Sequence, residues 1–367
     1  MKKILYVTTI SNTLNAFLIP HINQLQREGY TVDCACSVVH RIKKELINDK
    51  THIFNIPFAR NPLSLGNVKA LKQLIKIQQQ NSYDIIHVHT PIAATFGRLL
   101  KVRFPRLKVV YTVHGFHFYK GASFLNWGIY YPIEKVMARF TDVAVTMNSE
   151  DYKTAKKIGI KEVLNVNGVG IDLENYQFKL TKNEKILNSL GLKEEDFILL
   201  MIAEVNKNKN HKQMIDSVYR LKEKGIDIKV ICAGEGPELE NVKEYIKTKD
   251  LDKNIKMLGF RTDIKDLISI CDIGLLMSYR EGLPRNIMEL MACSKPVIAT
   301  DVRGNRDLIN EGKNGYLVPL GDDFETANKI EKVFNDRKLL KDLGENALSS
   351  IQPYDINKVL LHLKDIY

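Results

Sequence analysis

Two glutamates stand eight positions apart in Glu281-Gly282-Leu283-Pro284-Arg285-Asn286-Ile287-Met288-Glu289, just after an apolar run that ends near Ser278. Gly-Leu-Pro suits a turn that opens a helix, because proline costs little in the first helical turn, where its missing N–H has no partner to lose. The first-turn N–H groups of such a helix lack intrahelical acceptors and can hold a phosphate. A carboxylate accepts hydrogen bonds from paired sugar hydroxyls. Glu289, about two turns into the helix, therefore suits a ribose, and Glu281, just before it, a second sugar. A solvated helix face is the ordinary reading of two such glutamates. The strand–turn–helix context and the apolar pairs Ile287-Met288 and Leu290-Met291 favour the functional one. In the first half, His114-Gly115 ends the run Lys108–Val113, a place where a histidine can reach a ligand. His87 and His89 alternate on one strand, and only His89, nearer the following loop, suits an acceptor contact. The loop Thr9-Ile10-Ser11-Asn12-Thr13 offers Ser11 and Asn12 to acceptor hydroxyls.

The elements that must position these residues alternate from end to end. Strands are expected at Ile4–Thr8, Thr31–Ser37, His52–Ile56, Ile85–His89, Lys108–Val113, Val143–Met147 and Val163–Val166, with amphipathic helices between them. The runs are apolar throughout rather than alternating, as buried parallel strands are. After a break at Asn167-Gly168-Val169-Gly170-Ile171-Asp172 and a polar stretch to about Lys185, the pattern restarts. It gives strands at Phe197–Ala203, Ile228–Cys232, Ile255–Leu258, Ile273–Met277, Pro296–Thr300 and Tyr316–Val318. The alternation predicts an α/β chain of two Rossmann-like, doubly wound domains, which as two facing domains would share a cleft at the carboxyl ends of their strands. The domains are expected over 1–172 and 173–345, with a helical tail over 346–367, interrupted at Pro353, that packs back on the first domain.

Composition narrows the function class. The 367 residues are 44% hydrophobic and 26% charged, an ordinary globular mixture. No window approaches the roughly 18 apolar residues of a spanning helix. The short apolar N-terminal run reads as a first strand rather than a leader. Five cysteines with no zinc-like pairing read as reduced core residues. The net charge of +11 is lopsided, with 24 Lys/Arg against 12 Asp/Glu in residues 1–180 and 30 against 31 in the rest. The basic half implies an anionic partner or an exposed basic face. It includes Arg98, Lys101, Arg103, Arg106 and Lys108, close to an aromatic segment from Tyr119 to Tyr131 with the chain's one tryptophan. Phe124, Leu125, Trp127 and Ile129 of that segment either meet a membrane surface or pack into the first core.

Glu281 and Glu289 in Glu-Gly-Leu-Pro-x4-Glu resemble the paired-glutamate motif of glycosyltransferase family 4, retaining enzymes of GT-B fold that use nucleotide sugars. Other features match in order: Gly234-Glu235-Gly236-Pro237, the Gly-Val-Gly-Ile-Asp element at 168–172, Pro296–Thr300 and Asn314–Val318. His87-Val88-His89-Thr90-Pro91, the run Tyr111–His117 and Tyr131-Pro132-Ile133-Glu134 are most similar to glycosyltransferases of capsule and exopolysaccharide biosynthesis. The resemblance implies that Glu289 holds the donor ribose, Glu281 the transferred sugar, and the N–H groups of Gly282 and Leu283 the donor. It implies that Lys209 neutralises the diphosphate, that His114 contacts the donor sugar, and that Gly234 and Arg261 belong to the donor site. The family usually carries an arginine where Ala203-Glu204-Val205 stands, and Lys207 is the candidate replacement. The Gly-Gly turn many relatives carry after strand one is also missing.

The resemblance implies a UDP-linked donor, an N-acetylated hexosamine or deoxyhexosamine transferred with retention, and a polyprenyl-diphosphate-linked saccharide as acceptor. It implies no metal or other cofactor, and a cytoplasmic location at the inner face of the plasma membrane. An anionic membrane surface, met through the first domain, is the expected further partner, and nucleic acid is not. A dinucleotide oxidoreductase would need Gly-x-Gly-x-x-Gly at the first helix. A metal-dependent GT-A enzyme would need an Asp-x-Asp at a strand end, and Asp250-Leu251-Asp252 lies in a lysine-rich turn instead. A nucleotide-sugar epimerase shares the architecture. A basic nucleic-acid-binding protein would account for the charge but not for the Glu281…Glu289 helix start.

Overall fold

The computed structural model describes residues 2–42, 51–59, 61, 64–119, 121–176 and 182–367. Lys120 of the aromatic segment and residues 177–181 of the polar stretch lie outside the described residues. The chain forms two compact units, Met1–Gly170 together with Asn357–Tyr367, and Ile171–Ile356.

Among the described residues the first unit has a seven-stranded sheet. Its strands are β1 (Lys3–Ile10), β2 (Thr31–Ser37), β3 (Ile53–Asn55), β4 (Ile85–His89), β5 (Lys108–Val113), β6 (Val143–Thr146) and β7 (Glu162–Asn165). They lie in the order β3-β2-β1-β4-β5-β6-β7, all parallel. β4 is buried at every residue and β5 at all but Lys108, which is why both read as largely apolar, non-alternating runs despite His87, His89 and Thr112. One face carries Leu5, Val7, Val88, Val109 and Val113, the other Ile4, Tyr6, Ile85 and Val110. Val359, Leu363, Ile366 and Tyr367 pack into that second core.

The second unit's sheet has six described strands: β8 (Ile198–Ile202), β9 (Lys229–Ala233), β10 (Ile255–Met257), β11 (Ile273–Leu276), β12 (Val297–Thr300) and β13 (Gly315–Val318). Their order is β10-β9-β8-β11-β12-β13, again parallel. In both sheets the order reverses beside the first strand, between β1 and β4 and between β8 and β11. Connections leave that point in opposite directions, so a crevice opens at the carboxyl ends of the strands.

Three expectations change. The second unit ends at Ile356, not at 345, because the helix Arg337–Ile351 buries Leu343, Ala347 and Ile351 in that unit's own core. Gly344 lies so close to Ser294 that a Cβ would stand 2.3 Å from its carbonyl oxygen. The unit begins at Ile171, whose N–H donates to Tyr354 O (2.9 Å) and whose carbonyl accepts from Ile356 N (2.8 Å). The Thr9–Thr13 loop does not form. β1 runs on through Ile10, and the chain turns straight into helix at Ser11–Thr13, followed by a wider turn over Leu14–Leu18. The helix Asp323–Phe334, which the sequence reading did not anticipate, buries Thr326, Ala327, Ile330 and Val333. Pro353 sits in a tight turn, Gln352–Tyr354, that ends the long helix. All five cysteines are buried and unpaired. Among the described residues no helix is long and apolar enough to cross a membrane.

Candidate active site

The second unit's crevice is built from the loops after β8 and β11. After β8 the chain makes a tight turn, Lys207–Lys209, capped by Asn206, whose side chain accepts from Lys209 N at 3.1 Å. Asn210 then takes a left-handed conformation (φ 47°), tolerable for asparagine, and starts the helix His211–Glu223. The turn is tied to the loop after β11 by Tyr279 N donating to Asn208 O (2.8 Å) and by Asn208 Nδ2 donating to Arg280 O (3.2 Å). This brings Lys209 Nζ within 2.6 Å of Glu281 Oε1, with the side chains 20% and 12% exposed. Arg303 Nε donates to Glu281 O at 3.1 Å. Gly304, at φ +83°, passes so close that a Cβ would stand 2.4 Å from Gly282 O. The turn therefore requires glycine on both counts.

The helix Arg285–Ala292 follows, with Ile287, Met288, Leu290 and Met291 buried, as their spacing required. Asn286 Nδ2 donates to Ile202 O at 2.6 Å, fixing the helix start to the end of β8. Glu289 is on the opposite face, and its Oε1 accepts from Arg285 Nε and from Tyr176 OH, both at 3.0 Å. Two carboxylates, one lysine and the start of a helix thus share one sheet end. That set can accept sugar hydroxyls and hold a diphosphate.

In the first unit, the ends of β1, β4 and β5 gather histidines. His89 Nδ1 lies 3.2 Å from His114 Nε2, and the His87 and His89 rings stack with centroids 4.3 Å apart. His87 bonds Tyr367 OH through Nδ1 (2.6 Å) and Thr112 Oγ1 through Nε2 (2.7 Å). Burial lowers the pKa of His87 and His89 well below the usual value, and neighbouring histidines add to the effect. His114 is pushed down to about 4 by burial and by His21, so it is neutral near pH 7. The loop carrying His114 is held by Asp151, buried at the start of the helix Ser149–Lys157, which accepts from Phe116 N at 3.3 Å.

The family model for group 1 glycosyl transferases matches residues 182–350, and the model for 4-like glycosyl transferases matches residues 3–149. A Bacillus subtilis (strain 168) protein named "Putative glycosyltransferase EpsD" is 34% identical over 373 residues, which is 100% of this chain and 96% of the relative. The chain belongs to this glycosyltransferase family. An Escherichia coli relative, UDP-Gal:alpha-D-GlcNAc-diphosphoundecaprenol alpha-1,3-galactosyltransferase, is 27% identical, covering 94% of this chain and 90% of its own. The Staphylococcus aureus capsular polysaccharide biosynthesis glycosyltransferase CapM is 24% identical, covering 96% and 92%. Among solved structures, Anabaena Alr3699/HepE in complex with UDP and glucose superposes with a TM-score of 0.83 at 21% identity, covering 100% and 99% of the two chains. That likeness fixes the GT-B fold.

In this glycosyltransferase, Lys209 is paired with Glu281, and Gly282 and Leu283 follow in the loop that leads into the helix bearing Glu289. Lys207 is exposed on the same turn. Gly234, at φ +151°, packs against the end of β8, where a Cβ would stand 1.9 Å from Ala203 O. Arg261, in the turn after β10, is paired with Asp263. Asn12 is exposed at the helix start after β1.

Others need correction. Ser11 is wholly buried, and its hydroxyl both donates to His40 O (2.9 Å) and accepts from His40 N (3.1 Å), so it is committed to holding the chain. His89 is 2% exposed, behind His114 rather than at the surface. Arg98 is not a surface cation. It is fully buried and bidentate to Glu134 (2.8 and 3.0 Å), with its guanidinium 4.4 Å from the Tyr111 ring centre. This pair accounts for Glu134 in the Tyr-Pro-Ile-Glu motif. Lys101 is paired with Asp142. Asp250, whose motif was set aside, pairs with Lys222 at 2.7 Å in an exposed turn. Among the described residues no group of three His, Cys, Asp or Glu is placed to hold a metal. Sequence reasoning missed Tyr176. Its one signal was an aromatic residue four positions after Asp172, just past the Gly-Val-Gly-Ile-Asp element.

Proposed function

We propose that this glycosyltransferase takes a sugar, an N-acetylated hexosamine or deoxyhexosamine, from a UDP-linked donor. The acceptor is a polyprenyl-diphosphate-linked saccharide of capsule or exopolysaccharide assembly, and the anomeric configuration is retained. The observation that carries the reading is Lys209 at 2.6 Å from Glu281, at the start of the helix that bears Glu289. The UDP named with the Anabaena structure and the diphosphoundecaprenol-linked acceptor named for the Escherichia coli relative support the choice of substrates.

The second unit binds the donor and the first the acceptor. Glu289 accepts from the ribose, and Glu281 from hydroxyls of the transferred sugar. The Lys209 ammonium and the N–H groups of Gly282 and Leu283 face the diphosphate. As the bond from the anomeric carbon to phosphate oxygen breaks, its electron pair leaves on the diphosphate. A fixed cation there lowers the barrier. The acceptor hydroxyl forms the new bond on the same face and passes its proton to the departing diphosphate oxygen. Charge neutralisation by Lys209 makes a divalent metal unnecessary, so transfer survives excess EDTA.

The first unit docks on an anionic membrane surface at the cytoplasmic face. The helix Phe124–Met137 supports this: Phe124 is 97% and Leu125 69% exposed, and Trp127 and Ile129 are also open, so these four are not core residues. Arg103 and Arg106 lie exposed within the first unit's basic stretch.

The test is a screen of UDP- and GDP-sugars for binding and slow hydrolysis without acceptor, in wild type and Glu289→Ala. UDP-sugars should bind, and Glu289→Ala should lose about 1.5–3 kcal/mol of UDP binding, roughly ten- to hundred-fold. A preference for GDP-sugars, or unchanged UDP affinity in the variant, would refute the reading.

A further inference from the structure

The segment that opens the second unit carries one polar side chain into the donor crevice. Ile171 is pinned by the backbone of Tyr354 and Ile356, and Leu173 and Tyr176 are buried in the second unit's core. The Tyr176 backbone is further held by a turn to Leu173 O (2.9 Å), and its ring lies 5.2 Å from Lys265 Nζ. Packing alone would be served by phenylalanine. The hydroxyl instead reaches Glu289, 113 positions away, and donates to Oε1 at 3.0 Å.

Glu289 Oε1 also accepts from Arg285 Nε, one turn earlier on the same helix, at 3.0 Å. Both donors thus converge on one oxygen. Oε2 makes no hydrogen bond with the described residues, although the side chain is only 13% exposed. A glutamate has three rotatable bonds, and holding its outer oxygen in one place would otherwise cost a ligand that ordering entropy. Two fixed donors on Oε1 remove that cost beforehand and leave the lone pairs of Oε2 for an incoming hydroxyl. Burial raises the phenol's pKa, and the Glu289 charge and hydrogen bond raise it further, so Tyr176 remains a donor at any working pH.

We propose that Tyr176 is a positioning residue for nucleotide binding: with Arg285 it locks the Glu289 carboxylate so that Oε2 receives the ribose hydroxyls of the donor. This rests on the assignment of Glu289 to the ribose. It gives the segment after Gly170 a part in donor recognition.

The test is calorimetry on Tyr176→Phe, Glu289→Ala and wild type, each titrated with UDP and with its 2′,3′-dideoxy analogue. Tyr176→Phe keeps the packing, and a thermal melt verifies that it folds. Tyr176→Phe removes one of the two donors that fix Oε1 but leaves the carboxylate and Arg285, so UDP should weaken by only part of the Glu289→Ala loss, roughly 3- to 10-fold. The dideoxy analogue, which has no hydroxyls for Oε2, should bind wild type and Tyr176→Phe alike. A general structural defect would instead weaken both ligands equally, and that result overturns the proposal, as does unchanged UDP affinity in Tyr176→Phe while Glu289→Ala loses it. Unchanged affinity in Glu289→Ala would overturn the ribose assignment itself, and the proposal with it.

Discussion

Lys209 is paired with Glu281 at 2.6 Å, so a diphosphate must share or displace that contact and approach a carboxylate of like charge. Glu281→Gln keeps the side chain's shape and an acceptor oxygen but removes the charge. It should therefore bind UDP more tightly than wild type while losing sugar transfer. Two unit charges about 6 Å apart in an effective dielectric near 20 interact by about 3 kcal/mol. Both side chains are less than a quarter exposed, yet they sit in an open crevice, and solvent and counterions reduce the effect to about 1 kcal/mol, or roughly five-fold in affinity. Titration calorimetry with UDP at low salt and at roughly 0.15 M salt reads this directly. The gain should shrink at the higher ionic strength, where the Debye length is about 8 Å. Lys209→Met should move the other way and weaken UDP, because it leaves Glu281 facing the diphosphate uncompensated. If Glu281→Gln bound UDP no better than wild type at low salt, or if the gain ignored salt, the pair would not govern the phosphate site.

The same reasoning reaches the rest of the molecule. The protein should sediment with anionic vesicles at low salt and much less with neutral ones. Arg103→Gln with Arg106→Gln should cost about 1 kcal/mol per arginine, and Phe124→Ser with Leu125→Ser should weaken the remainder; equal binding to both vesicle types would sink the electrostatic account. Stability should fall as pH drops from about 6.5 toward 4. The pKa values of His21, His87 and His89 are lowered by burial, and His114 and His211 are pushed down to about 4. The unfolded chain therefore binds more protons than the folded one across that window, and each tenfold change in proton affinity is worth about 1.4 kcal/mol. Urea midpoints at pH 7, 5.5 and 4.5 test the sign, and a midpoint that held constant or rose with acid would contradict it.

Much of this protein was legible in order along the chain. Parallel strands covered on both faces are rich in β-branched and other apolar residues rather than alternating, so Ile85–His89 and Lys108–Val113 were legible with the bounds they have in the structure, even though His87, His89 and Thr112 interrupt them. Glu281 and Glu289 were legible because a loop and a helix start put them in one short segment, where spacing alone sets their geometry. The paired-glutamate motif, read with the other ordered motifs, thus carried the family. The helix Asp323–Phe334 was less legible because its buried face is Thr326, Ala327, Ile330 and Val333, with only two large apolar residues to mark a helical period.

What tertiary structure alone decided concerns partners distant in sequence. Arg98 and Lys101 read as surface cations until Glu134 and Asp142 were brought to them. A charge's partner depends on which helix packs beside it, and periodicity does not encode that. Ser11 and His89 carried the right chemistry, but the early turn of the chain and the stacked histidines bury them. Tyr176 meets Glu289 only because the chain's return at Tyr354–Ile356 fixes the segment from Ile171, placing a hydroxyl on a carboxylate 113 positions later. Local sequence sets the face a side chain occupies, whereas the long-range packing of buried apolar surface sets what that face meets.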